Sequence, residues 1–307
     1  MTYDALRQAI SDVAFTTPTP FTGDGSAVDH EALAANLQFL RDAGARVIIP
    51  NGNTGEYYAL THAERVAIVE TAVDAVGDDL TVIAGAGGSA ATVRQLATAY
   101  EAAGVDALMV MYPGHTYIHE QGIYEYYAEI CAATDLGVVL YKRGPRLSDQ
   151  NIARLAAHEN VVAVKFAEND IDAFARTRAL TDAPVTWSVG LAERFVPAFV
   201  AEGATGFTTG IGNFLPGRVL ALMEAVEAND LARMRRIRDE LRPLEELRAE
   251  AGPGSSFPNG NNVPLVKHGL AQIGQHGGPV RPPLVELTAA DRERVDALLG
   301  AAGAETG

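Results

Sequence analysis

Lysine is almost missing from this chain. It occurs three times in 307 residues, at Lys142, Lys165 and Lys267, and arginine carries the remaining basic charge. Cysteine occurs once, which excludes an intramolecular disulfide and a cysteine-built metal cage. Cys131 falls in an expected helix and reads as core packing. No run approaches the roughly 18 apolar residues that a membrane helix needs. The opening residues, Met1-Thr2-Tyr3-Asp4-Ala5-Leu6, lack the basic-then-apolar order of a secretory signal, so a soluble, cytoplasmic protein is expected. A net charge of −15 makes nucleic acid an unexpected partner, and the acidity speaks to solubility rather than to reaction.

What the chain does have is a regular alternation of apolar runs and helical patterns. The runs are Val13–Thr17, Arg46–Pro50, Leu80–Ala84, Asp106–Met111, Gly137–Tyr141, Val161–Phe166, Val185–Val189 and Thr205–Thr209. Helix starts follow them: Asp29 stands at a capping position, helices begin at about Ser89 and at Ser148, Thr61 forms a capping box with Glu64, and Pro216 opens a later helix. Eight such units fit an α/β fold of the (β/α)8 TIM-barrel type over residues 1–225. A doubly wound open sheet is the competing architecture, but no G-x-G-x-x-G follows the first strand. Residues 226–307 read as a C-terminal helical domain, with helices over Leu231–Leu247, Val263–Ile273 and Ala289–Leu299.

One of the three lysines ends an apolar strand, Val161-Val162-Ala163-Val164-Lys165-Phe166. Taken alone, such a lysine could simply reach solvent. In a barrel, however, the active site lies at the C-terminal ends of the strands. That rule gathers Thr16, Thr17, Asn53, Thr54, Tyr141, Lys165, Gly190 and Gly210-Ile211-Gly212-Asn213 around one mouth. At an ordinary pKa of about 10.4 only about one lysine in 2,500 is neutral at pH 7. Apolar barrel walls can lower that value, and a neutral amine can attack a ketone to form a Schiff base. Tyr141 could shuttle protons for that reaction or merely fill the barrel top. Gly52-Asn53-Thr54-Gly55 is a turn whose amides and hydroxyl could hold a carboxylate. Ile211, Gly212 and Asn213 stand where many barrels bind an anion, although a plain tight turn explains them nearly as well. Arg146 could pair with a substrate carboxylate or sit at a helix start on the surface. His115 and His119 are spaced i, i+4, but no carboxylate motif accompanies them and no metal is expected.

Several motifs then occur in a specific order over almost the whole chain. They are Thr19-Pro20-Phe21 with Asp24-Gly25, Gly52-Asn53-Thr54-Gly55-Glu56, Tyr141, Lys165, Gly190 and Gly277-Gly278-Pro279-Val280-Arg281-Pro282-Pro283. Together they resemble the dihydrodipicolinate synthase/N-acetylneuraminate lyase family of class I Schiff-base barrels, with Asn53 standing where a hydroxyl residue is usual. The resemblance implies a barrel with a C-terminal helical domain, a homotetramer, and an imine on Lys165 in place of any cofactor. It implies a 2-oxo acid as the small-molecule partner, Tyr141 as proton shuttle, and Asn53 and Thr54 as carboxylate receivers. Lysine-pathway synthases carry a tyrosine pair after strand four, one of which reaches into a neighbouring subunit's site. Here that place reads Pro113-Gly114-His115. Arg146 falls where the synthases keep an arginine for their second substrate. Tyr141-Lys142-Arg143 and the residues after Lys165 look closer to the family's sugar-acid dehydratases, such as 5-dehydro-4-deoxyglucarate dehydratase. The expectation is a lyase that dehydrates a 2-oxo-3-deoxy sugar acid. The alternatives are retro-aldol cleavage releasing pyruvate, a 4-hydroxy-tetrahydrodipicolinate synthase-like condensation, and a barrel that only binds a small acid.

Overall fold

Successive side chains of a strand face opposite ways, and this divides the apolar residues into two sets. In the computed structural model, which describes residues 1–301, one set packs inside a barrel and the other against surrounding helices. The strands are β1 (Val13–Thr16), β2 (Val47–Ile49), β3 (Thr81–Ala86), β4 (Ala107–Val110), β5 (Gly137–Lys142), β6 (Val161–Phe166), β7 (Thr186–Val189) and β8 (Gly206–Thr209). They run parallel, pair in sequence order and close with β8 beside β1, so the fold is the (β/α)8 barrel that the spacing implied.

The first helix, α1 (Tyr3–Ile10), lies under the barrel. Leu6 and Ile10 enter the interior cluster, Tyr3 and Arg7 donate to the carbonyls of Asp135 and Glu159 just ahead of β5 and β6, and the Arg7 carbonyl accepts from Thr186 at the start of β7. The helices between strands are α2 (His30–Asp42), α3 (His62–Val76), α4 (Ala90–Ala103), α5 (Glu120–Cys131), α6 (Asp149–Leu155), α7 (Ile171–Ala179) and α8 (Val196–Ala201), with α9 (Pro216–Glu227) after β8. Asp29, Thr61, Ser89, Ser148 and Asp170 each accept a hydrogen bond from the amide three residues on. Glu64 returns the bond to Thr61 and completes the capping box.

The stretch expected as a helical domain supplies α10 (Leu231–Ala249), α11 (Asn262–Gln272) and α12 (Ala289–Ala301); residues 302–307 lie outside the described residues. A buried network ties this stretch to the turn after β2. Lys267 lies 2.5 Å from Glu56 and donates to the Pro279 carbonyl at 2.6 Å, and the Arg281 amide donates to the other Glu56 oxygen at 2.9 Å. The Phe21 ring meets both cations, 4.3 Å from Lys267 and 4.0 Å from Arg281. Removing one member of a buried pair strands the other charge, which typically costs about 3–5 kcal/mol. Lys267→Met is therefore expected to destabilise the fold by that order in urea unfolding, and adding Glu56→Gln should restore much of the loss. Equal loss in single and double variants would contradict the pairing.

Candidate active site

Val164 and Phe166 of β6 face outward, where Phe166 packs edge-on against Phe174. The residue between them must then face inward, and it is Lys165, only 6% exposed. On the adjacent strand Tyr141 pairs in register with Lys165 and also faces the interior. The lysine ammonium position lies 4.8 Å from the centre of the Tyr141 ring. Both open onto a cavity of about 240 Å³ at the C-terminal ends of the strands, lined also by Thr16, Asn53, Thr54 and Gly190. A side chain at Gly190 would come within 2.7 Å of Ala167 and 3.0 Å of the Lys165 stem, so this glycine makes room for the lysine.

Among the described residues no carboxylate comes within ion-pair distance of Lys165. Burial, followed by the charge of Arg143, brings its pKa down to about 7. Burial pushes the Tyr141 phenol up, against the opposing pull of Arg143 and Asn53. The phenol oxygen accepts from Asn53 Nδ2 at 3.0 Å and from Arg143 Nη1 at 3.3 Å, which leaves its own proton free to be given. Thr16 donates to the Thr209 carbonyl at 2.6 Å and meets the Thr54 hydroxyl at 3.1 Å. Among the described residues the amides of Asn53, Thr54 and Gly55 have no acceptor in the chain, which leaves them available to an anion.

Thr17, Gly52, Arg146, Ile211, Gly212 and Asn213, all expected at the mouth, do not line the cavity. Gly52 is buried against Met109. Ile211 packs in the outer core, the Gly212 amide donates to the Thr209 hydroxyl at 2.8 Å, and Asn213 donates to the Thr16 carbonyl at 3.0 Å, so these three brace the strand ends. The Arg146 guanidinium lies over Tyr112 and donates to the Pro113 carbonyl at 3.3 Å. Buried Lys142 explains this placement. It donates to the Leu147 carbonyl at 2.7 Å, with Asp149 and Glu168 each 3.5 Å away, and draws the loop down the outside of the barrel. Arg143 is left over the mouth. His119 caps α5, and His115 accepts from the Tyr117 amide at 3.0 Å, so each serves its own loop.

The sequence reading missed Arg143, Arg194, Glu245, Arg248, Asn259 and Asn262 as lining residues. A signal existed for Arg248. It continues the buried series Met234, Ile237, Leu241 and Leu244 along α10, a stripe where a charge is out of place.

The chain matches the dihydrodipicolinate synthetase family over residues 9–302. It belongs to that family. The chain is 31% identical over 305 residues to a probable 5-dehydro-4-deoxyglucarate dehydratase of Methylobacterium radiotolerans, covering 98% of each. It is 33% identical over 291 residues to a 4-hydroxy-tetrahydrodipicolinate synthase of Moorella thermoacetica, covering 93% of this chain and 96% of that one. Its structure superposes on dihydrodipicolinate synthase from Oceanobacillus iheyensis with a TM-score of 0.92 at 33% identity, over 97% of this chain and 98% of that one. As a member of this family the chain is a lyase. Among the described residues no helix is long and apolar enough to cross a membrane.

The depressed amine has a consequence for stability. The unfolded chain keeps its lysine proton up to about pH 10.4, whereas the folded one releases it near 7. Between those values the unfolded state binds more protons, so stability attributable to this residue rises with pH. Lys165→Met, similar in volume and without charge, is expected to stabilise the fold at pH 7 by on the order of 4 kcal/mol. The gain should shrink toward zero by about pH 10.5, measured by urea unfolding across that range. A gain independent of pH would contradict a buried neutral amine.

Proposed function

We propose that this lyase is a Schiff-base dehydratase of 2-oxo-3-deoxy sugar acids. The observation that carries the proposal is the buried Lys165 amine, without a carboxylate partner among the described residues and 4.8 Å from the Tyr141 ring. The neutral amine attacks the C2 ketone, and Tyr141 gives its proton to the carbinolamine hydroxyl, which leaves as water. The phenolate so formed is held by the Asn53 amide and the Arg143 guanidinium, and then removes a proton from C3. Asn53 donates through nitrogen and cannot pass a proton onward as a hydroxyl would, so the phenol itself completes the cycle. The C1 carboxylate meets the free amides of the Asn53–Gly55 turn, and the Thr54 hydroxyl turns to it from Thr16. No added cofactor enters this route, because the protonated imine is the electron sink.

The lining also bears on the substrate's far end. Arg143, Lys165, Arg194 and Arg248 face the cavity against one acid, Glu245, in a chain of net charge −15. Arg143 has no carboxylate partner among the described residues and reaches over the mouth, where a second carboxylate of a hexarate would lie. The relative from Methylobacterium radiotolerans is named for such a diacid. By resemblance to the family we also read the enzyme as a homotetramer, with the cytoplasm as its default location.

Incubation with pyruvate and borohydride should leave a reduced adduct on Lys165, located by peptide mass. Turnover of a 2-oxo-3-deoxy hexarate should then give a dehydrated product without pyruvate. Release of pyruvate would favour retro-aldol cleavage instead, and absence of the adduct would remove the covalent route. Tyr141→Phe should lower kcat/KM by about 10²–10⁴-fold, the usual scale for a lost acid–base group.

A further inference from the structure

Lys165 ends β6, and the chain just past each neighbouring strand carries an arginine that lines the cavity. Arg143 follows β5, and Arg194 follows β7. Arg143 is engaged with the chemistry, since its guanidinium donates to the Tyr141 phenol at 3.3 Å. Arg194 has no such duty. Among the described residues its guanidinium has no hydrogen-bond acceptor and no carboxylate within ion-pair distance. It lies 5.4 Å from the centre of the Phe195 ring, another residue of the cavity wall.

The backbone holds Arg194 in this place. Ala192 adopts φ 60 and ψ −163, a conformation nearly confined to glycine that persists only where the surroundings enforce it. The short turn that follows, Glu193–Phe195, packs against α10, with Glu193 completely buried. From α10 the Arg238 guanidinium donates to the Arg194 carbonyl at 3.5 Å. The turn is thus pinned by its backbone and by Glu193, and the Arg194 side chain remains uncommitted.

The other fixed charges of the wall cancel. Glu245 is 2.5 Å from Arg248, and both are buried on α10. Two guanidinium groups are left without a counter-charge around the lysine, in a chain with 39 acidic residues against 24 basic ones. A cleft with such an excess of one sign concentrates ligands of the other.

We infer that Arg194 selects substrates whose far end carries a second anionic group. With the C1 carboxylate on the Asn53 turn and C2 on Lys165, the far carboxylate of a hexarate is gripped by Arg194 from the β7 side and met by Arg143 from the β5 side. A guanidinium matches a carboxylate with two parallel hydrogen bonds, whereas a terminal hydroxymethyl group offers it no charge. Because Arg194 bonds neither Lys165 nor Tyr141, its removal should alter specificity without altering the chemistry.

The inference rests on the Schiff-base dehydratase reading and adds the residue that sets its specificity. Full-length Arg194→Gln and Arg194→Lys would be compared with wild type on a 2-oxo-3-deoxy hexarate, on the corresponding hexonate with a terminal hydroxymethyl group, and in exchange of pyruvate methyl hydrogens with D2O. Wild type should favour the hexarate. Arg194→Gln should raise KM for the hexarate by about 10–10²-fold, the scale of a lost charged hydrogen bond, with kcat within a few-fold. KM for the hexonate and the rate of pyruvate exchange should stay within a few-fold, and Arg194→Lys should recover part of the hexarate loss. An unchanged hexarate KM, an equal rise for both sugar acids, or a wild type indifferent to the far carboxylate would overturn the assignment. So would a loss that includes pyruvate exchange, which would make Arg194 a brace for the turn after β7. Failure of wild type itself to exchange pyruvate would instead remove the Schiff-base reading beneath it.

Discussion

Among the described residues an ammonium at Lys165 has no carboxylate partner, and the chemistry of the mouth follows from that. Lys165 is buried, Gly190 makes room for its stem, and the charge that acts on it is the repelling one of Arg143. Under those conditions the proton is the component that leaves, and the amine keeps a lone pair at neutral pH. Glu193 is the mirror case, an acid whose burial pushes its pKa up.

The barrel alone does not complete this arrangement. Helix α10 lays Glu245 and Arg248 across the ends of β7 and β8, and Asn259 and Asn262 add to the same wall. The Lys267–Glu56–Arg281 network holds the helices after α9 to the turn that carries Asn53 and Thr54. Substrate-facing groups from the two parts of the chain are thus fixed by one set of buried bonds. Strain at Ala192 persists because the structure around it is over-determined, a familiar condition at catalytic sites.

The architecture was readable from periodicity. Eight apolar runs, each followed by a capped helix, leave few folds to choose from, and the strand carrying Lys165 announces its direction through the outward residues on either side. Lys165 and Tyr141 were legible because they sit on strands, whose alternation fixes where side chains point. Arg146 was misplaced for the converse reason. The loop after β5 has no periodicity, and its course depends on Lys142 turning outward to Asp149 and Glu168, an arrangement of three distant positions. Glu193 follows a backbone conformation that no propensity rule allows for alanine. Glu245 and Arg248 come from a helix whose docking on the strand ends no local pattern specifies, although a charge in its buried stripe was a visible anomaly.

The scarcity of lysine makes the central claim directly measurable. Carbon-13 labelling of the lysine side chains gives three ε-carbon signals, from Lys142, Lys165 and Lys267, and Lys165→Met assigns one of them. Titration by NMR should show the Lys165 signal moving with a midpoint near pH 7 in the free enzyme. A Lys165 midpoint at the ordinary value of about 10.4 would contradict the account.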